Sequence, residues 1–367
     1  MTRSVAPVND DAYQSQMKTL DRLRITIPIV QAPMAGVSTP AMAAAVSNAG
    51  GLGSIAVGAT DAAEARCMIE ETRAQTDRPF NVNVFVHDEP RADVAREQNW
   101  LNAMRPVFQS YGKEPPLALR QIYKSFAVDD DMLAMLIKVV PEVVSFHFGL
   151  PSANRIRLLR QAGCLLLASA TNIAEAQAIE DAGIDMIVAQ GWEAGGHRGV
   201  FDPRVADDQL GTLALTRLLV ARCRVPVIAA GGIMDGAGIK AALALGAAAA
   251  QLGTAFIACT ESNADEAYRT ALVGPGAQHT VMTTAVSGRP ARCLANRFTQ
   301  LASSVPDEVP DYPIAYDAGK ALNTAARASG ETGYGAQWAG QGAPLSRPMG
   351  AAELIDILWR EATAVIP

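Results

Sequence analysis

The run Gln190-Gly191-Trp192-Glu193-Ala194-Gly195-Gly196-His197-Arg198-Gly199 sets one histidine in a glycine-rich stretch directly after an apolar segment. An imidazole with an unperturbed pKa of about 6.5 exchanges protons at neutral pH or, when charged, pairs with an anion. A lone histidine is often only a structural hydrogen-bonding residue, but one at the C-terminal end of a strand, among small residues, faces a pocket. His197 is therefore the first candidate for chemistry. Gln190 brings an amide to the same strand end, either for a ligand or as an ordinary strand-end polar group. His147, in Ser145-Phe146-His147-Phe148-Gly149, closes another apolar run and faces the same mouth, as a ligand contact or as a structural hydrogen-bonding group.

Two further stretches have the composition of an anion site. Val227-Ile228-Ala229-Ala230-Gly231-Gly232-Ile233 and Gln251-Leu252-Gly253-Thr254 each end an apolar run with small residues ahead of a helical pattern. Glycine lets backbone N–H groups approach a phosphate closely, and a helix N-terminus adds unpaired donors. One Gly-Gly pair is merely a turn; two such loops at consecutive strand ends point to phosphate. Tyr312, Tyr316 and Lys320 are spaced by four, which on a helix puts them on one face. That face either binds an anion or is a partly exposed amphipathic surface.

These residues need a scaffold that brings them to one end. Apolar runs at Ile29 to Met34, Leu52 to Val57, Phe80 to Val86, Val143 to Phe146, Leu165 to Ser169, Met186 to Ala189, Val225 to Ala229 and Ala249 to Leu252 read as strands. Helical patterns at Pro40 to Asn48, Ala62 to Gln75, Ser152 to Ala162, Ile173 to Ala182, Leu213 to Ala221 and Ala237 to Ala244 alternate with them. The alternation predicts an α/β fold, a (β/α)8 TIM barrel, with an open doubly wound sheet as the structural alternative. The barrel is expected over 21–86 and 142–304. Residues 87–141 and 305–350 break the repeat and are expected to form a small, mainly helical accessory region over the barrel mouth. Residues 1–20 read as a polar, flexible arm.

Composition narrows the function classes. The net charge is −6 with no Lys/Arg run, which excludes a protein that coats nucleic acid. The five cysteines show neither CxxC nor metal spacing and read as reduced thiols. A polar N-terminus and interrupted apolar stretches predict a soluble, cytoplasmic chain with no membrane span, for which a homodimer is an acceptable state.

The segments PIVQAPMAGVSTP, FNVNVF, VVSFHFGLP, VAQGWEAGGHRG, VPVIAAGGI, QLGTAF and TTAVSGRPARCLANRF (283–298) occur in order over most of the chain. Together they resemble the nitronate monooxygenases, formerly called 2-nitropropane dioxygenases, and SFHFGLP and WAGQGAPLSR (338–347) resemble class I in particular. The resemblance implies noncovalent FMN held by Ala32, Pro33, Met34, Asn83, Gln190, Gly195, Gly232, Gln251, Gly253 and Thr254, with Gly231 beside them. It implies a catalytic role for His197, and a substrate pocket formed by His147, Tyr123, Tyr312, Tyr316 and Lys320. The implied reaction is oxidation of alkyl nitronates, propionate 3-nitronate above all, by O2 to a carbonyl compound and nitrite or nitrate. His197 would take the α-proton of a neutral nitroalkane or stabilise bound nitronate, while Lys320 and the tyrosine hydroxyls orient its oxygens.

Three other readings compete. An NAD(P)H-dependent FMN reductase of the enoyl-ACP reductase or NADH:quinone reductase type shares the AAGGI-like and AGGH-like loops, though no dinucleotide fingerprint is present. A flavin-binding protein without turnover is the second. An IMP dehydrogenase-like barrel needs a cysteine in the loop after strand six, where this chain has none.

Overall fold

The computed structural model describes residues 17–302 and 308–364. Among these, the central sheet has eight parallel strands: β1 Ile29–Gln31, β2 Gly53–Ala56, β3 Phe80–Phe85, β4 Val143–His147, β5 Leu165–Ala170, β6 Met186–Gln190, β7 Val227–Ala230 and β8 Ala249–Leu252. Each strand from β2 to β7 pairs with its successor, and β8 pairs with β1. The remaining two edges meet where Gln31 N–H donates to the Leu52 carbonyl (2.9 Å) and Leu52 N–H to the Ile29 carbonyl (2.9 Å). The sheet is closed, which excludes the doubly wound alternative. Both faces of the strands are covered, so nearly every strand residue is buried, polar ones such as Gln31, Asn81, Asn83 and Ser145 included.

The helices outside the barrel start where the sequence offers an oxygen to their first free N–H groups. Thr39 accepts from Met42 N, Asp61 from Ala63 N and Glu64 N, Ser152 from Arg155 N, and Asn172 from Glu175 N. Gly163, at φ +106°, ends Ala153–Ala162 in a left-handed conformation that suits glycine. The last ring position is filled from far along the chain. Helix Ala351–Thr363 packs between Gly236–Ala244 and Pro40–Asn48, burying Leu354, Ile355 and Leu358 against Val46 and Ile239.

The chain divides differently from the sequence reading in three places. Helix Asp130–Val139, expected in the accessory region, belongs to the barrel ring: Met132, Leu133 and Leu136 pack with Val82 and Val144. Helical periodicity shows that a helix has an apolar face but not what it packs against. Residues 280–302, expected in the barrel, belong to the accessory layer. There Ala285, Val286 and Phe298 join Trp100, Met104 and Phe108 of helix Val94–Ser110 and Leu322 of helix Ile314–Arg327. Residues 280–294 also supply the antiparallel hairpin Thr280–Thr283 and Ala291–Leu294, onto which Gly196–His197 pairs. Finally, residues 17–20, expected in the arm, belong to the barrel. Residues 17–23 are helical, and Thr19, Leu20 and Leu23 are buried, with Leu20 and Leu23 plugging the barrel floor beside Leu52, Leu167 and Ile228. Residues 1–16 lie outside the described residues.

If the C-terminal helix completes the barrel, Ile355→Ala is expected to lower the unfolding free energy by about 2–5 kcal/mol in denaturant titrations. A loss below about 0.5 kcal/mol would show that this helix is not part of the barrel's core.

Candidate active site

A cavity of about 700 Å³ opens at the C-terminal ends of the strands. Its walls bring together every residue singled out from the sequence. Ala32, Pro33 and Met34 follow β1, Asn83 is on β3, His147 ends β4, and Gln190 ends β6 with Gly195 and His197 in the loop beyond. Gly231 and Gly232 follow β7; Gln251 is on β8, ahead of Gly253 and Thr254. Tyr123, Tyr312, Tyr316 and Lys320 close the cavity from the accessory layer.

The loop carrying His197 is held by hydrogen bonds from the protein itself. The His197 carbonyl accepts from His147 Nε2 (3.1 Å) and from Gln190 Nε2 (3.0 Å). Gln190 Oε1 accepts from Gly199 N–H (2.7 Å), clamping both sides of the histidine. Arg198, almost fully buried, pairs with Asp207 at 2.7 and 3.0 Å and donates to the Gln190 carbonyl. Trp192 lies under two guanidiniums, Arg198 at 5.7 Å and Arg292 at 5.3 Å from its ring centroid.

These bonds also settle tautomers. A carbonyl only accepts, so His147 Nε2 carries the hydrogen and Nδ1 accepts from Ser169 Oγ (3.0 Å). Both nitrogens of His147 are thereby engaged, and of its two readings the structural hydrogen-bonding one is realised; its ring still faces the cavity. Gln190 is likewise occupied first in holding the loop. His197 differs, because only its Nε2 is engaged, with Ser287 Oγ at 2.8 Å, and Nδ1 has no partner among the described residues.

The His197 ring is enclosed by Trp338 (4.9 Å between centroids), Tyr312 (5.3 Å) and Phe148 (5.6 Å). Burial, reinforced by His147, Arg289 and His87, pushes its pKa down to about 3. Burial likewise pushes His147 down to about 4. His197 is therefore a neutral imidazole at physiological pH, not the charged partner of an anion.

The anion loops correct the sequence reading in part. Helix Gly236–Ala244 begins beyond the Gly-Gly pair, and carboxylates already occupy its N-terminus: Asp235 accepts from Gly238 N (2.8 Å) and Glu361 from Gly236 N (2.9 Å). What remains for a phosphate are the backbone N–H groups of Gly231, Gly232, Gly253 and Thr254, none of which is hydrogen-bonded among the described residues. Gly231 (φ +122°) and Gly232 (φ +69°) hold a backbone that side chains disfavour, and a Cβ on Gly231 would fall 2.7 Å from Thr212 Oγ1. Asn83 gives its amide hydrogens to Ser145 (Oγ 2.9 Å, carbonyl 3.2 Å), while the Gln251 amide makes no bond among the described residues. A cradle of free N–H groups leading to strand-end amides fits an FMN phosphate and ring system.

Lys320 lies across the mouth, its Nζ 4.9 Å over the Tyr123 ring and 5.3 Å over that of Tyr316. It has no ion pair among the described residues, since the nearby Asp317 is taken by Arg120 (3.2 Å). Burial lowers the Lys320 pKa, opposed by Asp317. Tyr316 and Lys320 share a face of helix Ile314–Arg327 as their spacing predicts, but Tyr312 precedes that helix. The Tyr312 hydroxyl is sealed from the cavity and has no partner among the described residues, so this residue offers its ring rather than its hydroxyl.

Ser169, Ser287, Phe148, Trp338 and Arg289 were missed as site residues. Ser169 and Phe148 flank strand ends already in view, and alternation along β4 puts Ser145 on the same side as His147. Ser287 and Arg289 lie between the hairpin strands, where no periodicity marks them.

Residues 16–361 match the family model described as nitronate monooxygenase. The chain belongs to the nitronate monooxygenase family. It is 63% identical over 343 residues to a nitronate monooxygenase of Paraburkholderia phytofirmans, covering 93% of this chain and 94% of that one. Identity to a nitronate monooxygenase of Pseudomonas aeruginosa is 56%, over 92% and 97%. Among solved structures it is similar to a nitroalkane oxidase from Streptomyces ansochromogenes, with TM-score 0.86, 40% identity and coverage of 94% and 97%. It is also similar, less closely, to FabK from Thermotoga maritima, with TM-score 0.72, 31% identity and coverage of 94% and 95%. This nitronate monooxygenase family member is thus an oxidoreductase on a TIM barrel. No helix among the described residues is long and apolar enough to cross a membrane, and no group of three His, Cys, Asp or Glu among them is placed to hold a metal.

The neutral histidines make stability pH-dependent. Unfolded, they protonate at about pH 6.5; folded, they stay neutral to about 3 and 4. Between these values the unfolded chain binds more protons, so their contribution is complete above about 6.5 and is lost as pH falls toward the folded values. Denaturant titrations of the cofactor-free chain are expected to lose about 3 kcal/mol between about pH 7.5 and about pH 5.5 from these two residues, and His197→Asn to remove about 1.4 kcal/mol of that loss. An unfolding free energy that does not change over this interval would contradict neutral burial.

Proposed function

We propose that this chain is an FMN-dependent nitronate monooxygenase that oxidises alkyl nitronates, propionate 3-nitronate in particular, with O2 to a carbonyl compound and nitrite or nitrate. The observation that carries this reading is the position of His197: a neutral imidazole with one open nitrogen, fixed at a dry, aromatic end of the cavity. Bound FMN would supply the electron acceptance that these side chains lack. The free N–H groups of Gly231, Gly232, Gly253 and Thr254 would hold its phosphate.

The protein's own contribution is positioning and proton handling. His197 Nδ1 accepts the α-proton of a neutral nitroalkane and, once it carries that proton, donates it as a hydrogen bond to the nitronate so formed. The bond from Nε2 to Ser287 fixes the ring plane during either event. The rings of Phe148, Tyr312 and Trp338 exclude water from the reacting carbon. Lys320, unpaired at the mouth, meets the carboxylate of a substrate such as propionate 3-nitronate.

The test is nitrite release and oxygen uptake by purified, FMN-loaded protein. Turnover of propionate 3-nitronate is expected, and no oxygen uptake with this substrate would sink the reading. His197→Asn is expected to retain FMN and lose about 10²- to 10⁴-fold in kcat/KM on neutral nitroalkanes. Unchanged activity on them would remove His197 as the base. Lys320→Ala should raise KM for carboxylate-bearing nitronates by about ten-fold and leave uncharged alkyl nitronates nearly unaffected. Equal effects on both would contradict the steering role.

A further inference from the structure

Arg289 is 3% exposed and sits one aromatic layer behind the cavity wall. Its guanidinium carbon is 4.4 Å from the centroid of the Phe148 ring, and that ring lies 4.5 Å from His147, 5.4 Å from Tyr312 and 5.6 Å from His197. The other deeply buried arginines are satisfied locally. Arg155 and Arg198 face Asp130 and Asp207, while Arg292 donates to the Trp192 carbonyl and Thr280 Oγ1. Arg289 has no carboxylate at ion-pair distance among the described residues, donates from its side chain to the Val200 carbonyl, and leaves Nε without a partner. Three acids act on it from further off, Asp88 first; of the other two, Asp202 also pairs with Arg204, and Glu175 accepts from Thr171 and from Phe201 N–H. Two further orphan polar atoms, His87 Nε2 and Tyr312 Oη, belong to rings packed edge to face at 5.0 Å, and Arg289 acts electrostatically on both residues.

A buried charge with no carboxylate at ion-pair distance is only partly compensated and projects its field through low-dielectric surroundings. Here the field crosses Phe148 into the end of the cavity that holds His197. We propose that Arg289 is a positioning residue that supplies the fixed positive charge of this end of the cavity and selects a nitronate anion over the neutral nitroalkane from which it differs by one proton. The proposal rests on the nitronate reading above. It is distinct from the role of Lys320, which meets a remote carboxylate at the mouth, because Arg289 acts on the reacting group without touching it.

The matched probes are ethyl nitronate and freshly dissolved nitroethane, each assayed as substrate or as competitive inhibitor of the FMN-loaded enzyme. Arg289→Met is expected to raise KM or Ki for ethyl nitronate by about ten-fold, from the loss of one charge at this separation, and to leave nitroethane within about two-fold. Arg289→Lys, which keeps the charge, is expected to restore most of the nitronate affinity. A merely structural role would weaken both probes together, and that outcome, or a lysine variant as poor as methionine, overturns the proposal. Where Arg289→Met does not fold, Arg289→Gln against Arg289→Lys gives the same neutral-versus-charged comparison. Wild-type protein that fails to turn over ethyl nitronate refutes the nitronate reading itself, whereas normal wild-type turnover with charge-independent variants refutes only this assignment.

Discussion

The carbonyl oxygen of His197 accepts two side-chain hydrogen bonds, from His147 and from Gln190, and the placement of the reacting imidazole depends on that pair. Glycine-rich loops are ordinarily free to sample many conformations. This one is pinned from the ends of β4 and β6, from the accessory hairpin through Ala291 and Arg292, and from below by Arg198 and Asp207. The constraint runs through backbone rather than through the ring. One edge of the imidazole is thereby left open to the cavity while its position is fixed.

The electrostatics follow from the same enclosure. Aromatic rings keep water away from His197, so its neutral form is favoured, and nearby positive charge strengthens that preference. A neutral imidazole in a dry pocket suits a site where an anion or an acidic C–H must be handled without a competing charge on the base. Cationic charge is held outside hydrogen-bonding contact with His197: at the mouth as Lys320, and behind Phe148 as Arg289. The barrel bottom is the opposite kind of environment, an apolar plug of Leu20, Leu23 and their neighbours, which stabilises the scaffold and carries no chemistry.

Much of this arrangement is legible in the sequence because local physics sets it. Strand runs such as Phe80 to Val86 and helices such as Pro40 to Asn48 and Ile173 to Ala182 were readable from the apolar pattern alone. Barrel closure was not, since it rests on a few bonds between Ile29, Gln31 and Leu52 that no periodicity encodes. The eighth ring helix escaped because the accessory layer separates it in sequence from β8. His147 shows the limit for site residues. Its place at a strand end was plain, but which of its nitrogens was already taken depended on Ser169 and on a carbonyl fifty positions away. Arg289 and Ser287 lie in a turn whose partners are all distant in sequence, so their roles appear only in three dimensions.

The central claim, that this cavity works on nitronates rather than on a reduced nicotinamide, is tested most directly by anaerobic mixing of the FMN-loaded protein with propionate 3-nitronate or with NADPH. The account predicts that the nitronate changes the visible flavin spectrum at once and that NADPH leaves it unchanged. Rapid bleaching by NADPH, with no response to the nitronate, would contradict it and assign the chain to reductase chemistry.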